Sequence, residues 1–183
     1  LLAFIPKVVI SGLESVISLL NRSNVQTDLA PRETKPFMTT RHTFLFREGS
    51  WKALGYYSDA SGNVQPMEGE FHISRLKNRQ VAEARINILG KNASTFVQYF
   101  EIPDQDMDEH KNWNSLNLIS GQIEGKVMYM NEYIFLMYNS PDGKYSGIEN
   151  LEKVDDLHYK NHGFAFVNDQ KMASWVMDIR RIR

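Results

Sequence analysis

Four polar side chains stand two residues from apolar neighbours in stretches that alternate like β-strands, which is where a binding barrel or an enzyme would keep its chemistry. Arg75 follows Phe71 and Ile73, Glu149 lies between Gly147 and Leu151, Gln98 between Phe96 and Phe100, and Asn139 follows Tyr133, Phe135 and Met137. Each is read as facing an interior. A charge held there needs a partner, a ligand or water, so an inward Arg75 implies an anionic head group or an internal ion pair with Glu149. Tyr129 joins them as one of several tyrosines on predicted strands, rings that can wall a cavity and orient the polar end of an apolar ligand. The expected ligand-binding set is therefore Arg75, Gln98, Tyr129, Asn139 and Glu149. The competing reading places Arg75 and Glu149 at solvated strand ends, since a single bulge flips a register.

Other chemistries fail on spacing. His158 and His162 share a strand face, but four residues of strand span roughly 13 Å, too far for one ion bound through imidazoles at about 2 Å. Asp104, Asp106, Asp108 and Glu109 resemble a calcium loop, yet its sixth position is Glu109 where glycine is required, and its twelfth is Ser115 where a bidentate glutamate is required. The chain has no cysteine, hence no disulfide framework and no thiolate, which favours a reducing compartment such as the cytoplasm over the periplasm. Phosphate-binding glycine loops and the nucleophile elbow of hydrolases are absent. No catalytic residue, metal ligand or cofactor is expected.

The elements that must position these side chains are strands. From Gln122 to Arg180, short alternating runs are separated by turn formers at Ser140-Pro141-Asp142-Gly143, Asp155-Asp156 and Asn168-Asp169, a pattern that predicts an antiparallel meander. Upstream, a first strand is expected near His42, followed by Trp51 to Tyr57, Met67 to Leu76, Val81 to Leu89 and Ser94 to Ile102. Pro103 to Asn114 reads as a long acidic loop, with the meander resuming at Leu116. The one convincing helix is Val8 to Leu20, where Val9, Leu13, Val16, Ile17 and Leu20 recur on one face. It is expected to cap the barrel. Residues 21–40, with Pro31 and Pro36, form a connector. The predicted fold is all-β: an antiparallel up-and-down barrel of about 8–10 strands over residues 41–183, behind an N-terminal segment 1–40, with a sandwich as the alternative.

Composition agrees with one globular barrel domain: 183 residues, 42% hydrophobic, 23% charged and a net charge of −1. A balance this neutral, with basic residues spread along the chain, gives no reason to expect nucleic acid as a partner. No apolar run reaches the length of about 18 residues a membrane helix needs, so a soluble chain without membrane insertion is expected. The start Leu1-Leu2-Ala3-Phe4-Ile5-Pro6, without an initiator methionine, hints at a processed form or a fragment.

Gly49-Ser50-Trp51, preceded by a helix and opening the first long strand, resembles the Gly-x-Trp signature of the lipocalins and the wider calycin superfamily. In that family the tryptophan seals the closed end of the barrel, and an arginine after the last strand lies on its indole; Arg180 or Arg181 stands where the resemblance requires. Asn131-Glu132-Tyr133 occupies a hairpin as the family's Thr-Asp-Tyr does, although two of its three residues differ. The resemblance implies a barrel that binds a small hydrophobic or amphipathic molecule in its interior. An isomerase, hydratase or lyase using Arg75 and Glu149 is the alternative, and a ligand-free interaction module with a filled core is the third. The oligomeric state is left open.

Overall fold

The computed structural model describes residues 41–182 except 78, 92, 104–109 and 118–120. The expected helix Val8 to Leu20, the connector and the acidic tract at 104–109 lie outside the described residues. The chain divides into two units, Leu1–Pro36 and Phe37–Arg183, and the second contains the barrel.

Ten antiparallel strands follow one another: β1 Gly49–Asp59, β2 Val64–Leu76, β3 Arg79–Ile88, β4 Ser94–Pro103, β5 His110–Asn117, β6 Gly121–Met130, β7 Tyr133–Asn139, β8 Tyr145–Asp155, β9 His158–Val167 and β10 Gln170–Ile182. Each pairs with its neighbour in sequence, and β10 returns to β1 to close the barrel. Closure pairs every strand on both sides and removes the exposed edges that an open meander would leave. The turns form where the sequence supplies local acceptors. Asp59 Oδ1 receives the amides of Ser61 and Asn63 at 2.9 Å each, and Asp155 Oδ1 receives that of Leu157 at 2.7 Å. Between Val167 and Gln170, Asn168 and Asp169 adopt φ of 48° and 61°, the left-handed pair that a tight two-residue hairpin requires.

Alternation along each strand divides inside from outside. On β2, Met67, Gly69, Phe71 and Ile73 are buried while Glu68, Glu70, His72 and Ser74 are exposed. Toward one end the interior is filled. Trp51, Tyr159, Ile73, Ile102, Val127, Ile134, Leu151 and Ile179 are all at most 2% exposed. Phe44 sits among them, its ring centroid 5.1 Å from that of Trp51, 5.4 Å from Phe71 and 5.7 Å from Tyr159.

The segment carrying Phe44 corrects one expectation. The sheet starts at Gly49, not near His42, and residues 42–46 form a turn that plugs the barrel. Thr43 O accepts from both Phe46 N at 3.2 Å and Arg47 N at 2.8 Å, and Leu45 takes φ of 70°. The run Thr43-Phe44-Leu45-Phe46 has the composition of a strand, but burial from several sides overrides that propensity. Its backbone is held by Tyr159 Oη, which accepts from Thr43 N at 2.8 Å, while Thr43 Oγ1 donates to Asp156 O at 2.7 Å.

Two other expectations change. The strand expected to resume at Leu116 begins at His110, so residues 110–114 are not loop; Trp113 faces inward at 2% exposed, and the asparagines around it obscure the alternation. On β7 the inward set is Ile134, Leu136 and Tyr138, not Tyr133, Phe135 and Met137. Both faces of β7 are apolar, so its own alternation does not select one; Met137 remains 47% exposed on the outer wall.

Candidate functional site

Beyond the filled end, small residues stand at several inward positions of the wall, and the barrel is hollow. Ala84, Ala165 and Ala173 line a cavity of about 320 Å³ together with the larger Ile86, Phe96, Phe100, Met177 and Trp175. Two glycines widen it further by letting rings lie flat on the neighbouring strand. Gly147 is the cross-strand partner of Tyr138, and a Cβ built on it would meet Tyr138 Cζ at 2.3 Å. Gly163 is likewise opposite Trp175, whose Cε2 such a Cβ would meet at 2.3 Å. A side chain at either position would drive a ring into the cavity.

One connected polar chain reaches the cavity wall. Trp175 Nε1 donates to Asn161 Oδ1 at 2.8 Å, and Asn161 Nδ2 donates to Glu149 Oε2 at 3.1 Å. An indole N–H can only donate, so it fixes the Asn161 amide with oxygen toward Trp175 and nitrogen toward Glu149. Glu149 can be reached from the cavity, yet protein surrounds it closely enough that burial pushes its carboxyl up to about 7, with the Asn161 hydrogen bond opposing the shift. Facing it, the Tyr138 phenol is raised far above its ordinary value, first by burial and then by the charge of Glu149. Tyr57, also on the wall, is raised by burial and by Asp59.

The five residues expected to bind ligand take different places. Glu149 and Gln98 line the cavity, Gln98 Nε2 donating to Ser115 Oγ at 2.9 Å. Tyr129 points inward at the filled end, its ring 5.4 Å from Phe46 and 6.1 Å from His42. Its hydroxyl is buried without a hydrogen-bond partner among the described residues, and burial raises its pKa strongly. Asn139 is exposed because β7 presents its other face inward. Arg75 shares a strand face with Phe71 and Ile73 but lies past the depth at which that face is covered. It is exposed at the filled end, its backbone amide donating to Glu48 Oε1 at 2.9 Å and its Nε to Lys77 O at 3.4 Å. The partner of Glu149 is thus Asn161, and the anionic head group inferred from Arg75 has no counterpart in the cavity lining.

Trp51 and the terminal arginines mark the sealed end. Arg181, not Arg180, is the cross-strand partner of Trp51; its guanidinium donates to Glu48 O at 2.8 Å and lies against Gly49. The exposed Arg180 pairs with His158 across β9. His158 is itself bonded through Nε2 to Asp178 on the outer wall. Among the described residues no group of three or more histidines or acids could hold a metal ion, and no helix is long and apolar enough to cross a membrane.

Of Asn161, Trp175 and Tyr138, only Tyr138 is read from the sequence, as one of the strand tyrosines that can wall a cavity; Asn161 and Trp175 are not singled out. Register offered a signal for both: Asn161 stands two residues from Tyr159 and Gly163, and Trp175 two from Ala173 and Met177. The bonds among them join β8, β9 and β10, and no single strand carries that information.

No protein-family model matches this chain, and no curated protein matches it. Among solved structures it is similar to the S-type phycobiliprotein lyase CPES from Guillardia theta, with a TM-score of 0.54 and 8% identity over 75% of this chain and 89% of that one. At that identity the likeness concerns the fold alone, which here is the closed ten-stranded antiparallel barrel.

Proposed function

We propose that this chain binds a small, predominantly apolar molecule inside its barrel. The observation that carries the reading is the cavity of about 320 Å³, within the range of small-molecule sites, which are apolar clefts with a few placed polar groups. The walls are aromatic and aliphatic, and Glu149, Gln98 and Tyr138 supply the polar points. The barrel likeness to a protein named a phycobiliprotein lyase is compatible with an interior used for binding. Native mass spectrometry of the purified protein, with titration of a lipophilic fluorescent dye, tests this. A retained small molecule, or one dye per chain displaced on Ala165→Leu substitution, is the expected result. No retained mass and no saturable dye binding would leave a filled-core interaction module as the better reading.

The enzyme alternative keeps one of its two groups. A carboxyl pushed up to about 7 inside a cavity is suited to moving a proton at neutral pH. Arg75, its intended electrostatic companion, is exposed at the other end.

A further inference from the structure

Resting on the reading of the interior as a binding cavity, we propose that it selects apolar molecules carrying a cationic nitrogen, which pairs with Glu149, and discriminates against carboxylates. Among the described residues lining the cavity, Glu149 is the one acid, and there is no Lys, Arg or His. Of the lysines next to lining residues, Lys144 holds its Nζ over the Tyr145 ring, 5.2 Å from the centroid, Lys171 stands across from Phe166, and neither is part of the lining.

The amide groups are oriented to the same effect. Asn161 spends its Oδ1 on Trp175 and its Nδ2 on Glu149 Oε2, and Gln98 turns its Nε2 toward Ser115. These amide donors and the Trp175 indole N–H are thereby engaged with protein, and the other side-chain donors on the wall are neutral hydroxyls, which supply no positive charge to an anion. Glu149 Oε1 accepts no hydrogen bond among the described residues and is reached from the cavity. A carboxylate in such surroundings lacks the compensating charge that burial demands, and a ligand cation supplies it. Tyr138 and Trp175 bring electron-rich rings to the same wall, which favours a cation further. A ligand carboxylate would meet Glu149 with no positive group between them.

The test uses three probes with one skeleton: 2-naphthylmethylamine, 2-naphthylmethanol and 2-naphthoate. Each is titrated by calorimetry into the wild-type protein and into Glu149→Gln in mildly alkaline buffer, where the amine is protonated and the acid ionised. A charge-assisted hydrogen bond corresponds to roughly tenfold to hundredfold in dissociation constant. The wild type is expected to prefer the amine to the alcohol by that factor and to bind the carboxylate most weakly. Glu149→Gln should retain the alcohol affinity, which shows its cavity intact, lose the preference for the amine and bind the carboxylate better. Equal binding of amine and alcohol by the wild type, or an amine preference that survives Glu149→Gln, overturns the proposal while leaving the cavity reading standing. Failure of all three probes to bind overturns both. Should Glu149→Gln not fold, Glu149→Met serves as the second variant: it removes the charge altogether, so the amine-to-alcohol ratio should fall toward one, and an unchanged ratio would count against the proposal.

Discussion

The two halves of the barrel interior are built from the same strands and differ in how much side chain each position contributes. At the sealed half, the inward positions carry Trp51, Ile73, Ile102, Val127, Ile134, Leu151, Tyr159 and Ile179, and a buried turn adds Phe44. At the hollow half Ala84, Ala165 and Ala173 leave room among the larger wall residues, and Gly147 and Gly163 let rings lie flat against the strands. Strand pairing spends the same hydrogen bonds in both halves. The cavity is therefore a property of side-chain volume, and the sealed half must supply the packing that the hollow half forgoes.

The largest expected effect breaks the sealed half. Trp51→Ala removes a fully buried indole from the centre of the Phe44, Phe71 and Tyr159 cluster and should cost roughly 3–5 kcal/mol, read from the urea midpoint at unchanged m. A change within experimental error would mean that the turn at residues 42–46 seals the barrel without it.

A second prediction sets the halves against each other through pH. Glu149 has its carboxyl pushed up from 4.5 to about 7 by burial, so the folded state holds that proton more tightly than the unfolded chain does. The stability it contributes is fully present below pH 4.5 and is lost as pH rises through 7. His42, buried in the sealed half, is lowered from 6.5 to about 4, by burial first and then by Lys153. Here the unfolded state takes the proton more readily, so stability is lost as pH falls from 6.5 toward 4. Each term amounts to about 3 kcal/mol, and the two oppose each other across the same window. Stability of the wild type should vary little there on account of these groups. Glu149→Gln should grow more stable with rising pH and His42→Phe less stable. Urea midpoints taken at intervals across the window measure both slopes, and slopes of the same sign would refute the assignment.

The smallest effect sharpens the contrast in volume. Ala82 and Ala165 both point inward on strands, Ala82 in the sealed half and Ala165 on the cavity wall. Ala82→Leu should destabilise by roughly 1–3 kcal/mol through overpacking. Ala165→Leu has room to grow into the cavity, so thermal melts should place it within about 1 kcal/mol of wild type while dye binding is lost.

How far the sequence could be read follows from what each signal reports. Turn formers at Asp59, Asp155 and Asn168-Asp169 act through bonds or backbone angles within a few residues, so the hairpins they close were legible. On β2 and β8, alternation beside one-sided polarity located the inner face, and Glu149 with it. The same reasoning failed on β7, where Tyr133-Ile134-Phe135-Leu136-Met137-Tyr138 is apolar on both faces, and pairing with β6 and β8 made the choice. It failed for Arg75 in another way: two-residue spacing assigns a face but not a depth, and Arg75 follows Ile73 past the end of the covered wall.

By itself, then, the order of residues determined an antiparallel meander, its tight turns, and the inward positions of Glu149, Gln98 and Trp51, because each depends on neighbours along one strand or one hairpin. Tertiary structure decided which half is hollow, which arginine lies across from Trp51, and that Asn161 and not Arg75 holds Glu149. Those outcomes sum side-chain volumes and hydrogen bonds over strands far apart in sequence, and they exist only once β10 has closed on β1.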